Sequence, residues 1–230
     1  MSKARYDSQQ LNDLVIQMME TELGGEQVYR TAIACAINPD LKEEWEEYLQ
    51  ETLTHQKVVR GLCDTLGLSP DTQTPTRQVV KHIGESLVKA MQMAKKGADP
   101  AAAQLVAAEC VVHAETKDHA NWELLGKVAE AATGDLGKAL KAAHEAVEKQ
   151  EDHHLYHTKG WSRELAIEAL GMPAVLPPQT RRVDAAGRQP RQAGAGRQRR
   201  FQLEVETLQV GRQWRAQVRV VVDQQDVVHG

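Results

Sequence analysis

Four segments of this sequence carry apolar side chains at helical spacing and break that spacing near the middle with a carboxylate or an imidazole. Glu22 lies in the series 11, 15, 18, 22, 29, 33, with Glu26 at its edge. His55 lies in the series 45, 48, 52, 55, 59, and Glu51 precedes it by one turn on nearly the same face. Glu115 and His119 share a line with Ala108, Val112, Trp122 and Leu125, while Glu151 and His154 share one with Leu140, Val147, Trp161 and Leu165. Burying a single unpaired carboxylate costs several kcal/mol, so acids gathered in an apolar core call for compensating cations. Carboxylate oxygen and imidazole nitrogen without thiolate suit iron or manganese, with zinc as an alternative. Two cations about 3.5–4 Å apart could share bridging carboxylates.

Such a cluster forms only if the segments are helices that bring their midpoints to one depth. Periodicity and breakers predict helices over about 9–36, 41–66, 76–97, 100–132 and 136–170. Asn38-Pro39-Asp40, Gly67 with Ser69-Pro70, Gly97-Ala-Asp-Pro100 and Thr133-Gly134-Asp135 separate them. Pairing the first two helices about residue 38 sets Glu22 opposite residue 54, beside Glu51 and His55. Pairing the last two about residue 134 sets Glu115 opposite residue 153, beside Glu151 and His154. Glu109 would face residue 159 and miss the cluster, so Glu115 is preferred. Four long helices and one shorter one favour an antiparallel bundle.

Composition agrees with packed helices. The chain has 230 residues, 41% apolar but only 4% aromatic, with a single Phe. That is too few aromatics for a typical β-sandwich core. No apolar run approaches a membrane span, and MSKARYDSQQ does not resemble a signal peptide, so a cytoplasmic location and no membrane partner are expected. Cys35, Cys63 and Cys110 form no C-x-x-C pair, which argues against a disulfide framework, a zinc ribbon or a rubredoxin-type site. After residue 178 the chain changes character. Residues 1–178 carry a net charge of −9 and every lysine; residues 179–230 carry +5, all of the positive charge on arginine. We therefore expect a helical body, 1–178, and a basic Gln/Arg-rich tail, 179–230, that is not an independent domain. The tail's first stretch reads as disordered, and the rest as a weak β-hairpin around Val210-Gly211-Arg212. Its abrupt composition suggests an appended or frame-shifted segment. Its Gln-rich spacing and lone Trp speak against nucleic-acid contact.

One Glu from each of two helices with a Glu/His pair from each of two others resembles the ferritin-like superfamily of di-iron carboxylate bundles over roughly residues 9–170. Glu151-Asp-His-His154 fits that family's E-x-x-H pattern; the second helix departs from it, with Thr52 in the Glu place and Glu51 one residue earlier. METELGGEQVY, AETKDHANW and EDHHLYHTKGW are similar to segments of uncharacterised bacterial, rubrerythrin-type ferritin-like proteins. The resemblance implies an all-α, ferritin-like antiparallel four-helix bundle with one additional helix. It implies Glu22 and Glu115 as single ligands and Glu51, His55, Glu151 and His154 as paired ones, with His119 as a further candidate. Two iron ions, O2 or peroxide as oxidant and an external electron donor follow, which is oxidoreductase chemistry of the oxidase or peroxidase type. A homodimer is compatible with this reading. Iron sequestration without turnover and a metal-free helical interaction protein remain open alternatives.

Several neighbours have plainer readings. Glu43, Glu44, Glu46 and Glu47 read as a solvated face. His153 is expected to point outward, His157 to lie at the surface or beside the site, and His113 and His144 to be uninvolved. Gly24-Gly25 signals either local adjustment of the first helix at the site or close helix packing. Tyr29 is a core aromatic or a redox-active neighbour.

Overall fold

A computed structural model describes residues 6–176 and the backbone of 202–210 and 213–221. The chain divides into two compact units, Met1–Thr180 and Arg181–Gly230.

The first unit is all-helical in its described residues: α1 (Ser8–Cys35), α2 (Pro39–Leu66), α3 (Pro75–Gly97), α4 (Pro100–Ala131) and α5 (Gly134–Ala169). Each lies within two residues of the span the periodicity predicts. Three helices open on a cap followed by proline: Asn38-Pro39, Thr74-Pro75 and Asp99-Pro100. In each the cap side chain accepts from N–H groups of the first turn, while proline fills a place whose N–H would have no helical partner. Asp7 caps α1 in the same way. Gly67 ends α2 at φ 66°, the left-handed conformation that glycine adopts without strain.

The helices α1, α2, α5 and α4 form a closed ring, each packing on the next, and α3 lies against α1 and α4. Arg77 anchors the start of α3, its Nε donating to Glu20 of α1 at 2.7 Å and a guanidinium N–H donating to the carbonyl of Thr72 at 3.0 Å. Two apolar clusters fill the ring's ends. One gathers Val28, Tyr29, Leu41, Trp45, Val111 and Trp161. The other gathers Val15, Met18, Val59, Leu62, Trp122 and Leu125. Between them lies a layer of buried polar side chains. Burial at roughly 25 cal/mol per Å2 of apolar surface makes these clusters the main force closing the ring.

A Cβ on Gly24 would meet no atom within 4 Å, so close packing does not account for that glycine. A Cβ on Gly25 would lie 3.5 Å from Thr52 Cγ2, and one on Gly84 would lie 3.7 Å from Gly24 Cα, so α2 and α3 approach α1 closely here while the helix runs on unbroken. Among the described residues no helix is long and apolar enough to cross a membrane.

In the second unit β1 (Gln202–Val210) pairs antiparallel with β2 (Gln213–Val221), Gln202 opposite Val221 and Val210 opposite Gln213. The turn expected at 211–212 and the stretch 179–201 expected to be disordered lie outside the described residues.

Candidate metal centre

Each helix of the ring turns inward every four and then three residues, the interval that keeps one seam facing its partners. On α1 the seam runs through Leu11, Val15, Met18, Glu22, Gly25 and Tyr29; on α2 through Leu41, Trp45, Tyr48, Thr52, His55, Val59 and Leu62. On α4 it runs through Ala108, Val111, Glu115, Asp118, Trp122 and Leu125, and on α5 through Val147, Glu151, His154, Thr158 and Trp161. The polar layer takes Glu22 from α1, Thr52 and His55 from α2, Glu115 and Asp118 from α4, and Glu151, His154 and Thr158 from α5. Glu22, His55 and His154 are 0% exposed, Glu151 1%, Glu115 4% and Asp118 5%.

Two three-residue groups meet there. Glu22, His55 and Glu151 place one ligand atom each within 4.8 Å of one another, as do Glu115, Glu151 and His154. Glu151 belongs to both. His55 Nδ1 lies 2.9 Å from Glu151 Oε1 and 3.8 Å from Glu22 Oε2. His154 Nδ1 lies 3.6 Å from Glu115 Oε2 and 3.7 Å from Glu151 Oε1.

The outward sides of the same rings are fully bonded. Gln150 Nε2 must donate to Glu51 Oε1, an acceptor only, at 2.6 Å; its Oε1 then accepts from His55 Nε2 at 2.8 Å. His154 Nε2 donates to Glu51 Oε2 at 2.7 Å. These bonds fix Nε2 of each ring as a protonated nitrogen, so that Nδ1 of His55, and of His154 once that ring is neutral, is a lone pair aimed at carboxylate oxygen. Supporting bonds hold the carboxylates as well: Trp122 Nε1 donates to Glu22 Oε1 at 3.1 Å and the Tyr29 hydroxyl to Glu115 Oε1 at 2.8 Å. The inward atoms lack partners. Glu22 Oε2, Glu115 Oε2, Glu151 Oε2, Asp118 Oδ1 and both Nδ1 atoms are buried without a hydrogen bond. So dense a set of orphaned polar atoms in one buried layer fits a cation-binding interior.

Proton affinities follow from this crowding. Burial, then the charges of Asp118 and Glu151, raise Glu22 well above the usual carboxylate range. Burial, then Glu151 and Glu115, do the same to Asp118. Glu151 is pushed up to about 8 by burial and by Glu115, with His154 opposing. Burial disfavours charge on His154, but the Glu115 and Glu51 carboxylates flanking its ring outweigh it and push it up to about 10. Burial lowers His55, against the hydrogen bond to Gln150. Burial also raises the Tyr29 phenol, and Glu115 adds to it.

Of the residues the sequence points to, five converge: Glu22, His55, Glu115, Glu151 and His154. Glu51 does not join either group; it sits half-buried behind His154 and Gln150, lowered by the hydrogen bond and charge of His154 in spite of its burial. His119 lies one residue off the seam and turns away, bonding Asp152 Oδ1 at 2.7 Å. Glu26 bonds Arg30 and Gln56, and Glu109 is exposed. His153 and His113 are exposed, as expected. Glu44 departs from the solvated face: it is half-buried and accepts from Trp161 Nε1 at 2.9 Å. Asp118 is the residue that sequence reasoning missed. Its signal is the four–three interval from Glu115 to Trp122, which selects 118 over 119.

No family model, curated protein or solved structure matches the chain, so the class it belongs to rests on its own residues.

Proposed function

We propose that the helical unit is a ferritin-like four-helix bundle, with α3 as the additional helix, whose interior holds two divalent cations, iron by preference and manganese or zinc as alternatives. We further propose that it is an oxidoreductase of the oxidase or peroxidase type, taking O2 or peroxide as oxidant and electrons from an external donor. The carrying observation is that both interior histidines turn Nδ1 towards buried carboxylate oxygens, Glu22 Oε2 and Glu115 Oε2, that have no hydrogen-bond partner. Lone pair against anion is repulsive unless a cation or proton stands between them.

Charge balance supports two ions. Glu22, Glu115, Asp118 and Glu151 supply four negative charges at the inward face, which two divalent cations neutralise. Glu22 and His55 would serve one cation, Glu115 and His154 the other, and Glu151 both. Bound iron would supply reversible one-electron chemistry towards the oxidant. The protein's own part is to keep both imidazoles in the Nε2–H form through Gln150 and Glu51. His154 gives up its Nδ1 proton as a cation arrives. Trp122 and Tyr29 hold Glu22 and Glu115 in place, and the apolar clusters above and below exclude water. The Tyr29 hydroxyl holds a proton against Glu115, and burial makes that proton hard to remove.

Anaerobic loading with Fe(II), followed by O2, tests this reading. We expect two irons to enter the interior and oxygen to be consumed in proportion to them, with a ferric absorption band. Iron uptake without oxygen consumption would favour sequestration; no uptake of iron or manganese would contradict the proposal.

A further inference from the structure

We propose that Glu44 of α2, with His153 and His157 of α5, forms a separate divalent-cation site on the outer seam of these two helices, suited to zinc-like ions. One ligand atom from each of the three residues lies within 4.8 Å of the others. His153 and His157 are one turn apart, so both rings leave α5 on the same side; they stack with centroids 4.8 Å apart and planes 18° from parallel. Glu44 faces them from α2, its carboxylate in contact with His157 Nδ1.

Geometry separates this group from the chain's other surface histidines. His144 and His119 meet acids without a second imidazole, at 3.6 Å from Glu148 and 2.7 Å from Asp152. Here two imidazoles lie face to face beside one carboxylate. The carboxylate is also held in place before any ligand arrives, by Trp161 Nε1 at 2.9 Å and by the Tyr48 hydroxyl. His153 is exposed, and among the described contacts its ring touches only Tyr48, at 5.6 Å, and His157. It is therefore free to turn towards a cation. Two nitrogens and one oxygen suit a borderline divalent ion, and solvent fills the remaining positions. The Tyr48 ring stands between this group and the interior, 4.2 Å from the ring of His154, so the two sites share a wall and no ligand.

The experiment is equilibrium dialysis of the full chain against Zn2+, comparing the wild type with a His153→Ala/His157→Gln variant. The glutamine keeps an N–H donor for Glu44. We expect the wild type to hold one more equivalent than the variant, whatever number the interior takes. Three against two supports both sites. One against none supports this site and shows that the interior does not take zinc, and equal numbers overturn this proposal. The single variant His153→Ala, which removes an exposed ring without a hydrogen bond, guards against misfolding. Its outermost Zn2+ is expected to bind about tenfold or more weakly, and unchanged affinity overturns the proposal.

Discussion

The apolar ends of the helical unit and the polar layer between them are built on one repeat, and they satisfy it by opposite means. At the ends, seam positions carry Val15, Met18, Val59, Leu62 and Leu125, which need only apolar contact, and Trp122, which packs among them and donates to Glu22. In the layer the same positions carry Glu22, His55, Glu115, Asp118, Glu151 and His154; the first three and His154 are hydrogen-bonded on one side, and each of the six has a buried atom that is not. The ends are closed by apolar packing. The layer is left with unpartnered buried atoms, which the proposed cations would complete.

The largest expected break in this comparison is Glu151→Ala, which removes the carboxylate common to both groups. Metal analysis should find both interior cations lost. At a thousandfold excess of ion over its dissociation constant, the wild type should gain about 4 kcal/mol of stability that the variant does not. Without metal the order narrows or inverts, because a buried unpaired acid has gone. Leu62→Ala at an apolar end should cost about 2–5 kcal/mol with or without metal and leave the interior stoichiometry alone, which urea unfolding reads.

Acidity separates the regions next. Glu151, at about 8, and His154, at about 10, both bind protons more tightly folded than unfolded. Their contribution to the metal-free protein is therefore complete at low pH and lost as pH rises through those values. Stability of the metal-free chain should fall by about 1–3 kcal/mol between pH 6 and pH 9. The metal-loaded chain should show the opposite slope, since cations replace those protons. Glu51→Ala, which strips the acceptor from His154 Nε2, should weaken cation binding about 10–100-fold while the number bound stays the same. His119→Ala removes an outward-facing ion pair and should change stability by less than about 0.5 kcal/mol, with no effect on metal.

Helix boundaries were legible because caps and prolines announce them: Asn38-Pro39 and Asp99-Pro100 each fix a start, and Gly67 fixes a stop. Depth was legible too, since short turns force the midpoints of paired helices together, as Glu22 with His55 and Glu115 with His154. Rotation about each axis was harder to read. Residues three and four apart share a face, so 118 and 119 are equally eligible beside Glu115, and 51 and 52 beside His55. Only the strict seam interval, set by packing against three neighbours, turns Asp118 inward and His119 outward. The same interval puts Thr52 on the seam and leaves Glu51 to support His154 from behind. Glu44 was misread for a related reason: its partners, Trp161 and His157, lie more than a hundred residues away on α5.

Anomalous diffraction from crystals of the full chain grown with Mn2+ or Fe2+ tests the central claim most directly. Two peaks inside the polar layer, one on either side of Glu151 and each beside a histidine Nδ1, are the predicted result. A layer without anomalous density at saturating metal, with the carboxyls hydrogen-bonded to one another instead, would contradict it.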